Sequence, residues 1–166
     1  MAEKTKIIQP FDGFQEKFVR SNLDLVIGGG SMGGGKTAAA VMCSGEPSLD
    51  SRFRAVYLRN NLGDLKSGGG ILDEFRSMYR GGVEVVESGD PRVVFPSGSR
   101  IDVTHIADQN REKVRQRFKG RQYDLIYFDE MTGFTWECFT EVCTRNRGTG
   151  KWTGKIRGTT NPERDH

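Results

Sequence analysis

The chain has 166 residues, of which 35% are hydrophobic and 10% are aromatic, and its formal net charge is +3. This length suits about one domain with a substantial core, and no stretch approaches the roughly eighteen apolar residues of a membrane span, so we expect a cytoplasmic protein without a membrane segment. Its three cysteines show no Cys-x-x-Cys spacing and its two histidines are scattered, which disfavours a zinc site, and the mild net charge does not by itself indicate nucleic-acid binding.

The most informative segment of the chain reads Gly-x-x-x-x-Gly-Lys-Thr and directly follows an apolar stretch. We predict a strand over residues 24–28, then a phosphate-binding loop, then a helix over residues 36–44. In such a loop successive backbone N–H groups surround a polyphosphate, the lysine reaches the β- and γ-phosphates, and the threonine hydroxyl binds Mg²⁺. The predicted nucleotide-binding residues are Gly30, Ser31, Met32, Gly33, Gly34, Gly35, Lys36 and Thr37, and Thr37 is also a predicted metal ligand. The alternative, a flexible glycine loop that happens to contain Lys-Thr, is disfavoured by the flanking apolar segments.

Strands and helices alternate along the rest of the chain. The predicted strands cover 54–59, 123–128 and 155–160, the predicted helices cover 71–79, 109–118 and 135–144, and three short antiparallel strands cover 83–86, 92–95 and 100–103. Helix 71–79 is predicted to direct Leu72, Phe75 and either Met78 or Tyr79 inward. This order predicts an α/β fold of the P-loop type, with a mostly parallel central sheet, helices on both faces and a small antiparallel β insertion.

Two predicted strands end in polar residues that suit nucleotide chemistry. Asp129 and Glu130 follow a buried strand, where an aspartate can hold Mg²⁺ through its water shell and the adjacent glutamate can orient and deprotonate the attacking water. Asn161 follows the last strand, so its amide lies at the edge where ligands bind in open α/β sheets. We therefore predict Glu130, Lys36 and Asn161 as catalytic residues and Asp129 as a metal-binding residue. A turn-capping Asp-Glu pair and an ordinary Asn-Pro turn are the alternatives.

Taken together, these segments resemble the ATPase domain of the terminase large subunit of tailed bacteriophages, the motor that moves DNA into a capsid. In that family a Pro-x-x-x-x-Gln segment precedes the first strand, as Pro10 to Gln15 do here. The family's loop reads Gly-Gly-x-x-Gly-Gly-Gly-Lys-Ser/Thr, as Gly29 to Thr37 do. The resemblance continues through Leu58-Arg59, the Phe-Pro-Ser-Gly turn at 95–98, Lys119-Gly120, residues 144–147 and the Thr-Thr-Asn-Pro segment at 159–162, which is similar to the family's coupling motif.

The resemblance implies a RecA-like fold of the additional-strand, catalytic-glutamate class, with ATP and Mg²⁺ as cofactors and with Gln15 in contact with adenine. It implies double-stranded DNA, the portal protein and the small terminase subunit as partners. It further implies a homo-oligomeric ring of five subunits on the capsid, formed from a monomer in solution, in the cytoplasm of the infected bacterial cell and transiently at the portal vertex. Because the chain stops four residues after Pro162, we expect residues 1–166 to form an ATPase domain that ends after the coupling motif, without the family's nuclease domain.

Basic residues raise two further questions. Family members often have Arg-Gly where this chain has Lys119-Gly120, so the resemblance does not assign the arginine that neutralises charge on the γ-phosphate. The candidates for that role are Arg117, Arg121, Arg145 and Arg147. Basic residues also recur over 111–121 and 151–157, a pattern that suits contact with a DNA backbone. Such a pattern more often belongs to a helix face that is exposed to solvent.

The leading hypothesis is a DNA-translocating ATPase. One alternative is a helicase-like or other nucleic-acid-stimulated ATPase, which shares the loop and the Asp-Glu strand. Another alternative is an ATP-binding assembly module with little turnover of its own. A phosphotransferase is disfavoured, because transfer to an acceptor gains nothing from the glutamate that follows Asp129.

Overall fold

The computed structural model describes residues 7–30, 33–60, 70–148 and 151–161. Its helices are α1 (Phe14–Arg20), α2 (Lys36–Met42), α3 (Ile71–Met78), α4 (Arg111–Arg117) and α5 (Trp136–Cys143), with short 3-10 turns at Pro47–Leu49 and Met131–Gly133. Its strands are β1 (Leu25–Gly29), β2 (Arg54–Arg59), β3 (Glu84–Val86), β4 (Arg92–Val94), β5 (Arg100–His105), β6 (Leu125–Phe128) and β7 (Lys155–Thr160). Within these ranges, no helix has the length and apolar character needed to cross a membrane.

The described strands form one sheet in the order β1-β7-β6-β2-β5-β4-β3. Neighbours from β1 to β5 in this order pair in parallel, whereas β4 and β3 extend the sheet in antiparallel pairing. Strand β7 lies between β1, which precedes the glycine-rich loop, and β6, which precedes the two acids, so β7 is the additional strand of the predicted class. Because β1, β7, β6 and β2 run in the same direction, their carboxyl ends lie at one edge of the sheet.

Helices cover both faces of the sheet. On the first face, α1, α2 and α3 pack over buried residues of the sheet that include Tyr57 of β2, whose ring meets that of Phe75 on α3 edge to face. On the second face, α4 and α5 pack over Val56, Leu58 and Phe128. Successive residues of a strand point to opposite faces, so burial on both faces explains why β2 and β6 are continuous apolar runs rather than alternating ones.

The predicted fold is confirmed, and the structure adds three details. The predicted strand 100–103 belongs to both parts of the sheet, because β5 pairs in parallel with β2 and antiparallel with β4. Helix α3 buries Met78 rather than Tyr79, which is only half-buried. Helix α1 was not predicted, since its seven residues form about two turns and only Gln15 and Phe18 are buried, too few to show a helical period.

A buried carboxylate joins α4 and α5. Glu141 is 3% exposed, and its oxygens lie 3.2 Å from the Nε of Arg111, 3.3 Å from the Nε of Arg115 and 3.2 Å from the Nη2 of Arg145. Burial acts to raise the pKa of the Glu141 carboxyl, but the guanidinium groups of Arg115 and Arg111 outweigh burial and hold that pKa below its usual value. The ionised carboxylate therefore holds together three arginines that would otherwise repel one another.

We expect Glu141→Gln to lower the free energy of unfolding by about 1–3 kcal/mol at neutral pH, because three guanidinium groups lose their shared anion. The pKa of this carboxyl is lower in the folded than in the unfolded chain. Its stabilising contribution is therefore present above the unfolded-state pKa of about 4.3 and is lost as the pH falls through the folded-state pKa. Urea unfolding at neutral and at acidic pH measures both effects, with Glu137→Gln, an exposed residue on the same helix, as the control. Equal stability of Glu141→Gln and the wild type at neutral pH would contradict the prediction.

Candidate functional site

The carboxyl edge of the sheet collects the predicted site residues. Lys36 follows β1 through the glycine-rich loop, Asp129 and Glu130 follow β6, and Asn161 follows β7. Arg59, the last residue of β2, reaches the same edge. These five residues line a cavity of about 370 Å³, whose other lining residues are Gly33, Gly34, Gly35, Thr37, Ala38, Glu74, Thr159 and Thr160.

Lys36, Asn161 and Glu130 are linked by hydrogen bonds between their side chains. The Nζ of Lys36 donates to the Oδ1 of Asn161 over 2.7 Å and to the carbonyl oxygen of Gly30 over 2.8 Å. The Nδ2 of Asn161 in turn donates to the Oε1 of Glu130 over 3.4 Å. The three predicted catalytic residues therefore form one connected group, although they come from three separate parts of the chain.

Glu130 has a left-handed backbone conformation, with a φ of 52° and a ψ of 62°. Among the residues that the structure describes, no other non-glycine residue has a positive φ. This conformation costs about 1–2 kcal/mol in a residue that carries a Cβ, and such strain is concentrated at functional sites. It turns the chain from β6 into the Met131–Gly133 turn and leaves Glu130 exposed at the cavity, whereas the preceding Asp129 is buried.

Asp129 is 7% exposed, and both of its carboxylate oxygens have donors. The Nε of Arg59 lies 2.6 Å from Oδ2. The hydroxyl groups of Tyr127 and Thr159 lie 2.9 Å and 3.1 Å from Oδ1 and 2.6 Å from each other. Burial, and then the charge of Asp129, raise the pKa of Tyr127 well above its usual value, so its phenol remains protonated. Two buried hydroxyls and one guanidinium therefore fix the orientation of this carboxylate.

We expect Tyr127→Phe to lower the free energy of unfolding by about 1–2 kcal/mol, because it removes a buried hydroxyl that contacts both Asp129 and Thr159. Urea unfolding measures the loss. The matched control is Tyr79→Phe, since the buried hydroxyl of Tyr79 has no hydrogen-bond partner in the described part of the chain, and its removal is expected to be neutral or stabilising. A loss in Tyr79→Phe as large as that in Tyr127→Phe would show that the contacts of the Tyr127 hydroxyl are not the cause.

Gln15 and the glycine-rich loop are in direct contact. The Nε2 of Gln15 donates to the carbonyl oxygen of Gly35 over 3.1 Å, and its Oε1 accepts from the backbone N–H of Phe11 over 3.0 Å. Gly35 has a φ of 68°, which favours glycine, and a Cβ at this position would lie 2.3 Å from the Nε2 of Gln15, so a larger residue would also displace the end of that side chain. Gln15 thus supports the loop from α1, and its contact with adenine stays a prediction. Ser31 and Met32, also predicted to bind nucleotide, lie outside the described residues.

Two larger cavities, of about 460 and 500 Å³, occur elsewhere among the described residues. The first lies at the amino ends of the strands, where Trp152 and Arg157 line it. The second lies beside β5, where Arg100 and Arg121 line it. Neither contains a residue of the glycine-rich loop or the acids after β6. The chemistry of the lining residues, rather than the volume, therefore identifies the 370 Å³ cavity as the candidate site.

The basic residues considered for DNA contact or for catalysis from a neighbouring subunit lie away from this cavity. Several of them have acidic or hydroxyl side chains as partners: Arg111, Arg115 and Arg145 contact Glu141, Lys113 contacts Asp108, Arg121 contacts Asp102, and Arg117 contacts Thr104. Arg157 instead donates to the backbone carbonyl oxygens of Leu23 and Ser21. Arg147 is exposed. Within the described ranges, Arg59 is the one arginine that lines the cavity. The basic run 111–121 is therefore partly neutralised by its own neighbours, and its contact with DNA stays a prediction.

Sequence reasoning assigned no role to Arg59, Tyr127 or Thr159. Arg59 ends the apolar run of β2 just as Asp129 follows that of β6, and this parallel is the signal that could have found it. Tyr127 has a weaker signal, because a phenol in a strand buried on both faces needs a hydrogen-bond partner. Neither signal shows that Arg59 and Tyr127 both contact Asp129. The strands β2 and β7 become neighbours of β6 only in the folded sheet.

The chain is similar to known proteins both in sequence family and in fold. The family model described as "Terminase large subunit, T4likevirus-type, N-terminal" matches residues 27–166. No curated protein sequence matches the chain.

Several solved structures share the fold. The large terminase of a thermophilic bacteriophage superposes with a TM-score of 0.71 at 19% identity, over 93% of this chain and 40% of that one. The same phage protein in complex with ADP gives a TM-score of 0.66 at 18% identity, over 92% and 39%. The large terminase of bacteriophage HK97 gives a TM-score of 0.64 at 12% identity, over 92% and 33%. The chain therefore spans 33–40% of the length of these proteins, and the likeness shows a common fold.

Proposed function

The chain belongs to the T4likevirus-type family of terminase large subunit N-terminal domains, and from this we propose that it hydrolyses ATP to move double-stranded viral DNA into a procapsid. The observation that carries the proposal is the connected group of Lys36, Asn161 and Glu130 at the carboxyl edge of the sheet, beside the buried Asp129. Solved structures of the thermophilic phage's large terminase contain ADP and ATP-gamma-S, which supports a nucleotide as the ligand of this fold.

Each catalytic residue has a proposed role that follows from its position. Lys36 binds the β- and γ-phosphates, because its Nζ lies beside the loop and already donates to two oxygens. Glu130 orients and deprotonates the attacking water. Asn161 contacts both of these residues and directly follows β7, so it couples the state of the γ-phosphate to that strand. Gln15, Ser31 and Met32 and the loop glycines complete the proposed nucleotide site.

Thr37 and Asp129 are the residues that would hold Mg²⁺. They line the same cavity and supply a hydroxyl and a carboxylate oxygen, which are donors that this hard cation prefers. Bound Mg²⁺ would neutralise part of the charge of the phosphates. Asp129 is pre-oriented for this role, because Tyr127 and Thr159 hold its Oδ1.

The wider assembly is part of the same proposal. Residues 1–166 form the ATPase domain of a packaging motor, whose partners are the portal protein, the small terminase subunit and further copies of the chain in a five-subunit ring. Family membership and the likeness to phage large terminases support this assembly. The candidates for an arginine supplied to a neighbouring subunit are Arg117, Arg121, Arg145 and Arg147, which all lie outside the chain's own cavity.

Phosphate release from MgATP tests the proposal when it is measured over a wide range of protein concentration, with and without duplex DNA. Turnover per subunit that rises with protein concentration and with duplex DNA supports a ring ATPase with shared sites. A strand-separation assay on the same preparations tests the helicase-like alternative, since a packaging motor moves along duplex DNA without unwinding it. Absence of ATP binding would refute the proposal.

A second candidate function is that of an ATP-binding assembly module with little turnover of its own. The observation that favours it is that Arg59, the one arginine lining the cavity in the described part of the chain, is already paired with Asp129. An arginine supplied by a neighbouring subunit is worth about 10³–10⁵ in the rate of phosphoryl transfer. Tight ATP binding without turnover at any protein concentration would support this second candidate.

A further inference from the structure

The ion pair between Arg59 and Asp129 lies at the carboxylate that would hold the metal of the proposed function. The Nε of Arg59 is 2.6 Å from the Oδ2 of Asp129, and the two side chains are 16% and 10% exposed. Arg59 also lines the cavity, as do Lys36 and Thr37. A cation of the protein itself therefore occupies one oxygen of the predicted metal-binding carboxylate.

The two oxygens of Asp129 differ in how readily they can accept a new partner. Oδ1 is held by the hydroxyls of Tyr127 and Thr159, which are buried residues within two neighbouring strands of the sheet. Oδ2 is held by Arg59, a partly exposed side chain at the end of β2. Buried strands are closely packed and keep their side chains in place, whereas an arginine at a cavity wall can change rotamer. Oδ2 would therefore be the oxygen of Asp129 that becomes available to hydrated Mg²⁺ when Arg59 leaves it.

We propose that Arg59 is a positioning residue of the nucleotide site, which neutralises Asp129 before the metal arrives and is displaced from Oδ2 by hydrated Mg²⁺. This inference rests on the proposed function, because its ligand is a magnesium nucleotide. Before displacement, the guanidinium cancels a negative charge that would repel an incoming polyphosphate. After displacement, the metal cancels that charge instead. Arg59 thereby sets how strongly nucleotide binding depends on Mg²⁺.

The test is the dissociation constant of a fluorescent ADP analogue, measured by titration once in EDTA and once in saturating MgCl₂. ADP is the probe because it lacks the γ-phosphate, so contacts to that group do not enter the comparison. In Arg59→Met, the unneutralised Asp129 weakens binding in EDTA, while Mg²⁺ no longer has to displace a guanidinium. We expect the ratio of the two dissociation constants, EDTA over MgCl₂, to rise by about threefold to tenfold relative to the wild type.

Three controls accompany the measurement. Arg100→Met removes a more exposed pair of the same kind, since the Nε of Arg100 lies 2.5 Å from the Oδ1 of Asp102 outside the candidate site, and it is expected to leave the ratio unchanged. Arg59→Gln is a second neutral variant and is expected to raise the ratio in the same way. It replaces Arg59→Met in the comparison if Arg59→Met does not fold. Lys36→Ala reports on the nucleotide site itself and is expected to weaken binding under both conditions.

The outcomes separate this inference from the function on which it rests. A rise of about threefold or more in the ratio, in Arg59→Met or Arg59→Gln and not in Arg100→Met, supports the displacement of Arg59. A smaller rise, no change or a fall in the ratio overturns the inference, while binding that depends on Lys36 leaves the proposed function intact. Failure of the wild type to bind ADP under either condition refutes the proposed function and this inference with it.

Discussion

Glu130→Gln is expected to retain ATP binding and to lose about 10²–10⁴-fold in the rate of hydrolysis. The substitution keeps the size of the side chain and leaves an oxygen that can accept from the Nδ2 of Asn161, but it removes the carboxylate that we propose takes the proton of the attacking water. In the proposed site, nucleotide affinity depends on Lys36 and the loop, and the substitution changes neither. The expected result is therefore a normal dissociation constant together with a much lower turnover number.

The matched control for this experiment is Glu74→Gln. Glu74 is another carboxylate that lines the cavity, so it is the main rival for the role of general base. Phosphate release and nucleotide binding are measured for both variants under conditions in which the wild type turns over. Loss of hydrolysis in Glu74→Gln with normal hydrolysis in Glu130→Gln would transfer the role from Glu130 to Glu74.

Lys36→Ala is expected to weaken ATP binding by about a hundredfold or more and to abolish hydrolysis with it. The Nζ of Lys36 lies between the carbonyl oxygen of Gly30 and the Oδ1 of Asn161, where it donates to both. Hydrogen bonds that involve a charged group contribute about 1.5–3 kcal/mol each, and two such contacts to phosphate oxygens account for a loss of this size. The substitution also frees Asn161 from its lysine partner.

Nucleotide titration of Lys36→Ala checks this expectation, and Lys17→Ala is the control. Lys17 is an exposed residue of α1 with the same charge, so the pair of variants separates a contact at the cavity from a general change in net charge. A thermal unfolding midpoint close to that of the wild type would show that the loop variant is folded. Affinity of Lys36→Ala within a fewfold of the wild type would contradict the assignment of the cavity as the nucleotide site.

The sequence by itself determined the fold class and those parts of the site that lie within one short segment of the chain, namely the loop around Lys36 and the pair Asp129 and Glu130. The strand, loop and helix around Lys36 are contiguous, and the backbone geometry of such a loop follows from its own glycines. Asp129 and Glu130 could be placed because an apolar run marks a buried strand, and the residues after it must lie at the sheet edge. The helical and strand periods also located the helices and strands from β1 to β7, whereas helix α1, which precedes β1, is too short to show a period.

Only the tertiary structure decided which side chains meet. Arg59 and Asp129 are 70 residues apart, Tyr127 and Thr159 are 32 apart, and Lys36 and Asn161 are 125 apart. The alternation of residues along a strand shows which side chains point inward, but it does not show which other strand lies beside that strand in the sheet. The order β1-β7-β6-β2, with a helical layer packed on each face of the sheet, brings these pairs together, and no local period encodes such an order. For the same reason the sequence showed a run of basic residues from 111 to 121, whereas the fold decided that Glu141, Asp108 and Asp102 neutralise much of it.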